Sequence, residues 1–205
     1  MLSPEVTHSK LKMDVKILIA EDIHQQFAEE ICHLMEVSAH ERKTGIAKRS
    51  PDYIRTKMVN GNAIIALEGE RLVGFCYIET WSHGKYVANS GLIVAPAYRK
   101  LGMATSIKKA VFNLARNKYP EARVFGITTS LAVMKINTEL GYKPVTFSEL
   151  TQDEAFWNGC KSCPNFEILE GNERRLCLCT GMLAPSKVEM EKDLSHLILA
   201  TNEKQ

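Results

Sequence analysis

Three observations predict a mixed α+β fold with a small annex. Apolar runs of strand length alternate with amphipathic stretches of helix length across residues 14–150. One run, Leu92-Ile93-Val94, passes through a short turn into a long amphipathic stretch from Gly102 to Asn117. Four cysteines in two pairs then set residues 151–185 apart from what precedes them. A chain of 205 residues is long enough for one full core and such an annex. The reading is a loose leader over 1–13, one domain over 14–150, a Cys-rich hairpin annex over 151–185 and a tail over 186–205.

Each element has its own signal. Val15 to Ala20 is apolar and predicts a first strand. Asp22 is placed to cap a helix from Ile23 to Ser38, where Ile23, Phe27, Ile31, Leu34 and Met35 recur at helical spacing. Ser50-Pro51 starts a second helix with proline at its first position, running to Val59 with Ile54, Met58 and Val59 inward. Asn60-Gly61 ends it. Ala63 to Leu67 is a strand, Glu68-Gly69-Glu70-Arg71 a hairpin turn, and Leu72 to Thr80 the partner strand. Ser82 to Lys85 turns the chain into a central strand, Tyr86 to Val94. The helix from Gly102 to Asn117 buries Ile107, Ala110, Val111 and Leu114. A strand from Val124 to Thr129, a helix from Ser130 to Leu140 stopped by Gly141, and a strand from Tyr142 to Phe147 complete the domain.

Composition removes several classes of function. The formal charge of +2 makes no strong case for nucleic acid or an anionic membrane. No apolar run approaches the ~20 residues that span a bilayer. The N-terminal stretch does not read as a secretory signal. The expectation is a cytoplasmic protein, in which six cysteines argue for thiols or metal rather than disulfides.

The turn between the central strand and the long helix carries the chemistry. Arg99-Lys100-Leu101-Gly102-Met103-Ala104 opens the helix, where the first amides have no intrahelical partner and carry the positive end of the macrodipole. Gly102 and Ala104 add little bulk, so a ligand can approach the backbone, and the arrangement suits a phosphate or pyrophosphate. An ordinary tight strand–helix turn is the plain alternative. Arg-x-x-Gly-x-Ala between strand and helix resembles the acyl-CoA pyrophosphate loop of the GNAT acetyltransferases. Gly141-Tyr142 matches the Gly-Phe or Gly-Tyr that opens that family's next strand, and the element order agrees over about residues 15 to 150.

The resemblance implies a central mixed sheet flanked by helices. It also implies transfer of an acyl group from acetyl-CoA to an amine by direct attack. The splayed central strand, here Leu92, Ile93 and Val94, would hold the pantetheine arm and the thioester carbonyl through its backbone. Amides across Arg99, Lys100, Leu101, Gly102, Met103 and Ala104 would hold the pyrophosphate, with Tyr98 and Lys100 to cover or neutralise it. Many members place a tyrosine acid four residues before the Gly-Phe. This chain has Asn137 there, which cannot donate a useful proton, and Tyr142 is a weak substitute better read as core. Glu79 and His83 are the candidates for base, Glu79 through an aromatic neighbourhood and His83 through its titration range. Each is equally read as a polar residue at a strand end. Asn89 and Ser90 could orient substrate. The connection between the first two helices holds Arg42, Lys43, Lys48, Arg49, then Arg55 and Lys57. Such a rim favours a carboxylate-bearing acceptor, because arginine pairs carboxylates bidentately, with Arg49 and Arg55 as the candidate contacts.

In the annex, Cys160 and Cys163 form Cys-x2-Cys, and Cys177 and Cys179 form Cys-x-Cys. Phe166–Leu169 and Arg174–Cys179 read as two strands turning at Gly171-Asn172, a hairpin that would bring both pairs together. Four thiolates could then hold a structural Zn2+. Buried core thiols, or a reversible disulfide between Cys160 and Cys163, are the rival readings. The segments GYKPVTFSELTQDEAFWNGCKSC and CLCTGML also resemble the stand-alone Bacteroidetes-type proteins proposed as N-acylglutamate synthases. That likeness rests on the tail and not on a catalytic signature, and it agrees with glutamate as acceptor. A protein or peptide N-acetyltransferase and a non-catalytic acyl-CoA sensor are the alternatives. Dimerisation is compatible with the fold, and no residue in the sequence establishes it.

Overall fold

The computed structural model describes residues 14–42 and 47–202. The expected leader, residues 1–13, lies outside them, as do Lys43 and the side chain of Arg42 from the basic run. The chain runs β1 (Val15–Ile19), α1 (Ala28–Arg42), α2 (Pro51–Val59), β2 (Ala63–Glu68), β3 (Arg71–Trp81), β4 (Tyr86–Val94) and α3 (Met103–Lys118). It continues through β5 (Arg123–Thr128), α4 (Leu131–Glu139), β6 (Lys143–Val145), α5 (Glu154–Asn158), α6 (Phe166–Gly171), β7 (Thr180–Ala184) and α7 (Lys187–Asn202). The strands form one mixed sheet in the order β1-β2-β3-β4-β5-β7-β6. The β4–β5 pair is parallel and every other pair is antiparallel. This is the α+β architecture expected from the element order.

Helices cover both faces of the sheet. α3 packs Ile107, Val111 and Ala115 on Val73, Cys76, Ile78 and Val124. On the opposite face α1 and α2 bring Ile31, Met35, Ile54 and Met58 against Ile65, Phe75 and Tyr77. Each fully buried aliphatic side chain here contributes about 1.5–3 kcal/mol over exposure. β3 serves both faces because its side chains alternate, which is why it is buried almost end to end. A third cluster ties the annex to the domain: Trp157, Phe147, Leu150 and Leu169 pack on Ala88 and Phe125. Trp157 Nε1 donates to the Thr151 carbonyl at 2.8 Å, so its polar edge is satisfied inside that cluster.

Two features of β4 place the site. It pairs with β5 only over Tyr86–Ala88, so from Asn89 onward the two parallel strands part. β4 also carries a bulge, since Tyr77 faces Ser90 while Phe75 faces Ile93. Gly91 sits in that bulge at φ +67°, and a Cβ there would lie 2.4 Å from the Tyr77 ring. Only glycine fits both the dihedral and the space.

Several local expectations need correction. The hairpin of the annex does not form. Phe166–Gly171 is the helix α6, and Arg174–Cys179 contributes no strand. The apolar residues there follow helical spacing, with Leu169 2% and Ile168 37% exposed. Glu173 and Arg174 then adopt positive φ and turn the chain. The strand of this region is β7, just beyond the cysteines. The first helix is capped by Glu21 rather than Asp22, and it begins as a 3-10 segment over Asp22–Phe27 that turns Ile23 outward, 73% exposed. Val59, expected inward, is exposed at the end of α2. Residues 186–205, read as a tail, supply the helix α7.

Candidate active site

A cavity of about 480 Å³ opens where β4 and β5 part, and it runs from there to the annex. Its walls come from distant segments: Arg49 and Tyr53 before and within α2, Tyr77 and Glu79 on β3, Asn89 to Leu92 on β4, Lys108 on α3, and Asn137 on α4. All four annex cysteines line its far end.

The loop from β4 to α3 presents main chain. Gly102 caps α3 at φ +81° with no side-chain cap hydrogen bond among the described residues, and Lys100 also holds positive φ. Lys100, Leu101 and Gly102 are exposed, and Met103 and Ala104 are half-buried. Such a helix start attracts anions. The side chains around it are spoken for. Arg99 donates to the Val94 carbonyl at 3.2 Å and to Ser38 Oγ at 3.0 Å, and it pairs with Glu41 at 3.0 Å. Its guanidinium therefore anchors the loop to α1. Tyr98, expected to cover a phosphate, is instead buried and donates its hydroxyl to Glu68 at 2.6 Å. Leu92 lines the cavity, while Ile93 and Val94 are buried in the core and do not line it.

The opposite wall is built from side chains. Glu79 accepts from Tyr53 Oη at 2.6 and 2.7 Å and pairs with Lys57 Nζ at 2.5 Å. Burial first, then Tyr77 and the Glu79 carboxylate, push the Tyr53 phenol far above its ordinary range, so it stays a donor. Arg49 is half-buried, donates Nε to Tyr77 Oη at 2.9 Å, and lies 5.1 Å from the Tyr53 ring centroid. Among the described residues it has no carboxylate within ion-pair distance. Arg55 differs in its partners and its place. It pairs with Glu29 and, at 2.7 Å, with Asp52, and it does not line the cavity.

The remaining candidates divide as well. Asn89 and Asn137 are buried cavity residues, and each keeps a buried Oδ1 without a partner among the described residues. Asn89 Nδ2 donates to Tyr142 Oη at 2.8 Å, and Tyr142 itself is core, stacked on Phe112 at 5.2 Å. His83 is not brought to the cavity: it sits exposed at φ +55° in the β3–β4 turn. Glu79 reaches the cavity wall as a carboxylate held by Tyr53 and Lys57.

The annex cysteines are free thiols, each half-buried. Cys163 N donates to the Cys160 carbonyl at 2.8 Å, and Asn165 N to Cys163 Sγ at 3.4 Å. Burial first, and then the neighbouring thiols, push Cys160 up to about 11 and Cys179 up to about 12. Among the described residues no group of three or more His, Cys, Asp or Glu side chains is gathered as a metal site. Structural Zn2+ is therefore not supported among the described residues.

Sequence reasoning missed Tyr53, Tyr77 and Lys108. Lys108 left a signal, since Ala104, Lys108, Val111 and Ala115 form one helical stripe and a lysine on an otherwise apolar stripe stands out. The two tyrosines are apolar-stripe residues with polar tips, and only their meeting in space reveals them.

No helix among the described residues is long and apolar enough to cross a membrane. No curated protein sequence matches the chain. Solved structures of similar fold include N-acetylglutamate synthase from Neisseria gonorrhoeae complexed with coenzyme A and N-acetyl-glutamate, at TM-score 0.61 and 17% identity. That alignment covers 84% of this chain and 35% of the synthase, so the chain spans about a third of that protein. Rv2747 from Mycobacterium tuberculosis, in complex with CoA and NLQ, gives TM-score 0.59 and 16% identity over 83% of this chain and 98% of its own. Diaminobutyrate acetyltransferase EctA from Paenibacillus lautus gives 0.53 and 13% over 65% and 81%. These likenesses establish the fold. The model of the Acetyltransferase (GNAT) family matches residues 29–135, just over half of the chain. With the parted β4–β5 strands and the open helix start already in view, that match identifies the chain as a member of the GNAT acetyltransferase family, enzymes that use CoA.

Proposed function

We propose that the protein transfers an acetyl group from acetyl-CoA to the amine of a small, carboxylate-bearing acceptor such as glutamate. The observation that carries this reading is Arg49. A half-buried guanidinium without a carboxylate partner among the described residues faces the cavity and is held in place by Tyr77 and Tyr53. An arginine so oriented binds a carboxylate strongly, because the donors are preorganised and water is partly excluded.

In this reading the pyrophosphate of CoA sits at the start of α3, on the amides following Gly102. The pantetheine arm follows the backbone of β4 from Val94 to Asn89, where β5 has turned away and the main chain is open. The acceptor enters from the α2–β3 side with a carboxylate on Arg49. Its amine lies toward Glu79, the one carboxylate that lines the cavity among the described residues. The buried Oδ1 of Asn89 is an acceptor for an N–H of the acceptor or of the arm. Arg55, spent on Glu29 and Asp52, has no part in it. The Neisseria enzyme of similar fold holds N-acetyl-glutamate beside CoA, which agrees with an acidic amino acid as the class of acceptor.

The test is thiol release from acetyl-CoA over a panel of amines. The reading expects turnover on glutamate or a close acidic analogue, at a kcat/KM at least tenfold above amines of the same length without a carboxylate. Turnover confined to uncharged amines would contradict it.

A further inference from the structure

Lys108 is the least expected side chain of the cavity. It lies on the inner stripe of α3, is 2% exposed, and lines the cavity wall beneath the parted strands. Among the described residues no carboxylate comes within ion-pair distance of it. Its Nζ lies 5.8 Å from the centroid of the Tyr142 ring. Burying an unpaired ammonium costs several kcal/mol, so a lysine retained here has a use that packing does not supply.

Its surroundings narrow that use. The titratable groups packed near it are the Cys76 thiol from β3 and the Tyr142 phenol after α4. Burial holds both of these in their neutral forms. Arg116, further along α3, stacks on Phe112 instead. β2 and β5 present the apolar Ile64, Ala66 and Val124 to this face. On the same cavity wall Asn89 and Asn137 hold buried amide oxygens without partners. Two buried amide oxygens without partners among the described residues, on the wall that also carries the Lys108 ammonium, mark a place where a ligand completes them.

We infer that Lys108 is a catalytic residue of the acetyl transfer: its ammonium gives the proton to the sulfur of the departing CoA. The step balances. A neutral acceptor amine attacks the thioester carbonyl carbon, and the C–N bond forms. The C–S bond breaks with its electron pair moving to sulfur. Nζ transfers one proton to sulfur, giving the free thiol. The new amide nitrogen sheds one proton, which returns to Nζ and restores the ammonium. The other candidates do not match it: Cys76 and Tyr142 do not line the cavity. Asn137 carries no acidic proton. Glu79 is tied to Lys57 and Tyr53 on the far wall. The desolvation that pulls the Lys108 ammonium below the ordinary lysine range makes it the better acid. The inference rests on CoA-dependent transfer and on the path assigned to the arm, not on which amine accepts.

Two variants test it. Lys108→Met keeps the stem and removes the unpaired charge, so the fold should hold or gain stability. Lys108→Arg keeps the charge but cannot give up a proton. The first readout needs no acceptor: the thiolate absorbance of bound CoA, titrated against the complex with desulfo-CoA. An ammonium near the sulfur should make the bound thiol about tenfold more acidic in the wild type and in Lys108→Arg than in Lys108→Met. The second readout is kcat with an amine that the wild type acetylates. Both variants should lose roughly 100-fold in kcat with KM for acetyl-CoA within about threefold, and both should lose the alkaline fall of the wild-type profile. Equal thiol acidity in the wild type and Lys108→Met overturns the inference. So does full kcat in Lys108→Arg, which would make the role one of charge alone. A wild type that ignores glutamate but acetylates another amine leaves both readouts in force.

Discussion

The two ends of the cavity are made by different means. At the β4–α3 end the groups that face a ligand are main chain: the bulge at Gly91, the left-handed Lys100 and Gly102, and the uncapped start of α3. At the α2–β3 end they are side chains gathered from segments far apart, with Arg49 on Tyr77 and Glu79 between Tyr53 and Lys57. A main-chain site is preorganised by dihedral angles, so it is insensitive to most side-chain changes and sensitive to glycine replacement. A side-chain site reverses both properties. The first suits a ligand shared by a whole family, and the second suits the part of the reaction that varies among its members.

The largest break in this comparison should come from Gly91→Val. The new Cβ meets the Tyr77 ring and Met35 while forcing a β-branched residue to positive φ. A loss of about 3 kcal/mol or more in stability is expected, read as a lower urea midpoint. An unchanged midpoint would mean the bulge can reorganise. Gly102→Val comes next. Nothing lies within 4 Å of its Cβ position, so crowding is not the issue and the cost is dihedral. CoA affinity by calorimetry should fall by roughly 30-fold as the loop shifts, about 2 kcal/mol of strain, with the melting curve little altered. Affinity held at the wild-type value would remove the loop from the CoA site.

A smaller effect belongs to the annex thiols. Cys179, pushed from the ordinary 9.0 up to about 12, is held as the neutral thiol by the fold. A raised folded value contributes stability that is complete below pH 9 and is lost as pH rises toward 12. The urea midpoint should therefore drop less between pH 8 and about pH 10.5 in Cys179→Ser than in the wild type. Parallel curves would show that the thiol is not desolvated. The smallest effect is expected from Arg55→Met. Its ion pairs lie on the surface, so KM for the acceptor should stay within about twofold and the urea midpoint should be little changed. A large rise in KM would move the acceptor site toward α1.

The same contrast governs how much of the fold and the site is legible in the sequence. The order of elements through β6, the strand limits of β4 and the loop at Gly102 are local features, written in consecutive residues, and they are legible there. The proline start of α2 with Ser50 as its cap is legible for the same reason, since the Ser50 side chain accepts from Tyr53 N. The parting of β4 from β5 is a pairing property and enters only through the family resemblance. The Glu79 cluster joins residues 22 and 26 positions apart, and no local pattern announces such a meeting. His83 and Glu79 look alike as polar strand-end residues, yet one turn of chain separates a cavity wall from open solvent. The annex misleads because Phe166 to Leu169 is too short for periodicity to separate strand from helix.

Initial-rate kinetics of the wild type and Arg49→Met, with acetyl-CoA and glutamate, test the central claim most directly. Thiol release by the wild type is expected, with a KM for glutamate raised roughly 30-fold or more in the variant, because a desolvated arginine–carboxylate contact is lost. KM for acetyl-CoA should change little. A variant whose KM for glutamate equals that of the wild type, or a wild type that releases no thiol with any acidic amine, would contradict it.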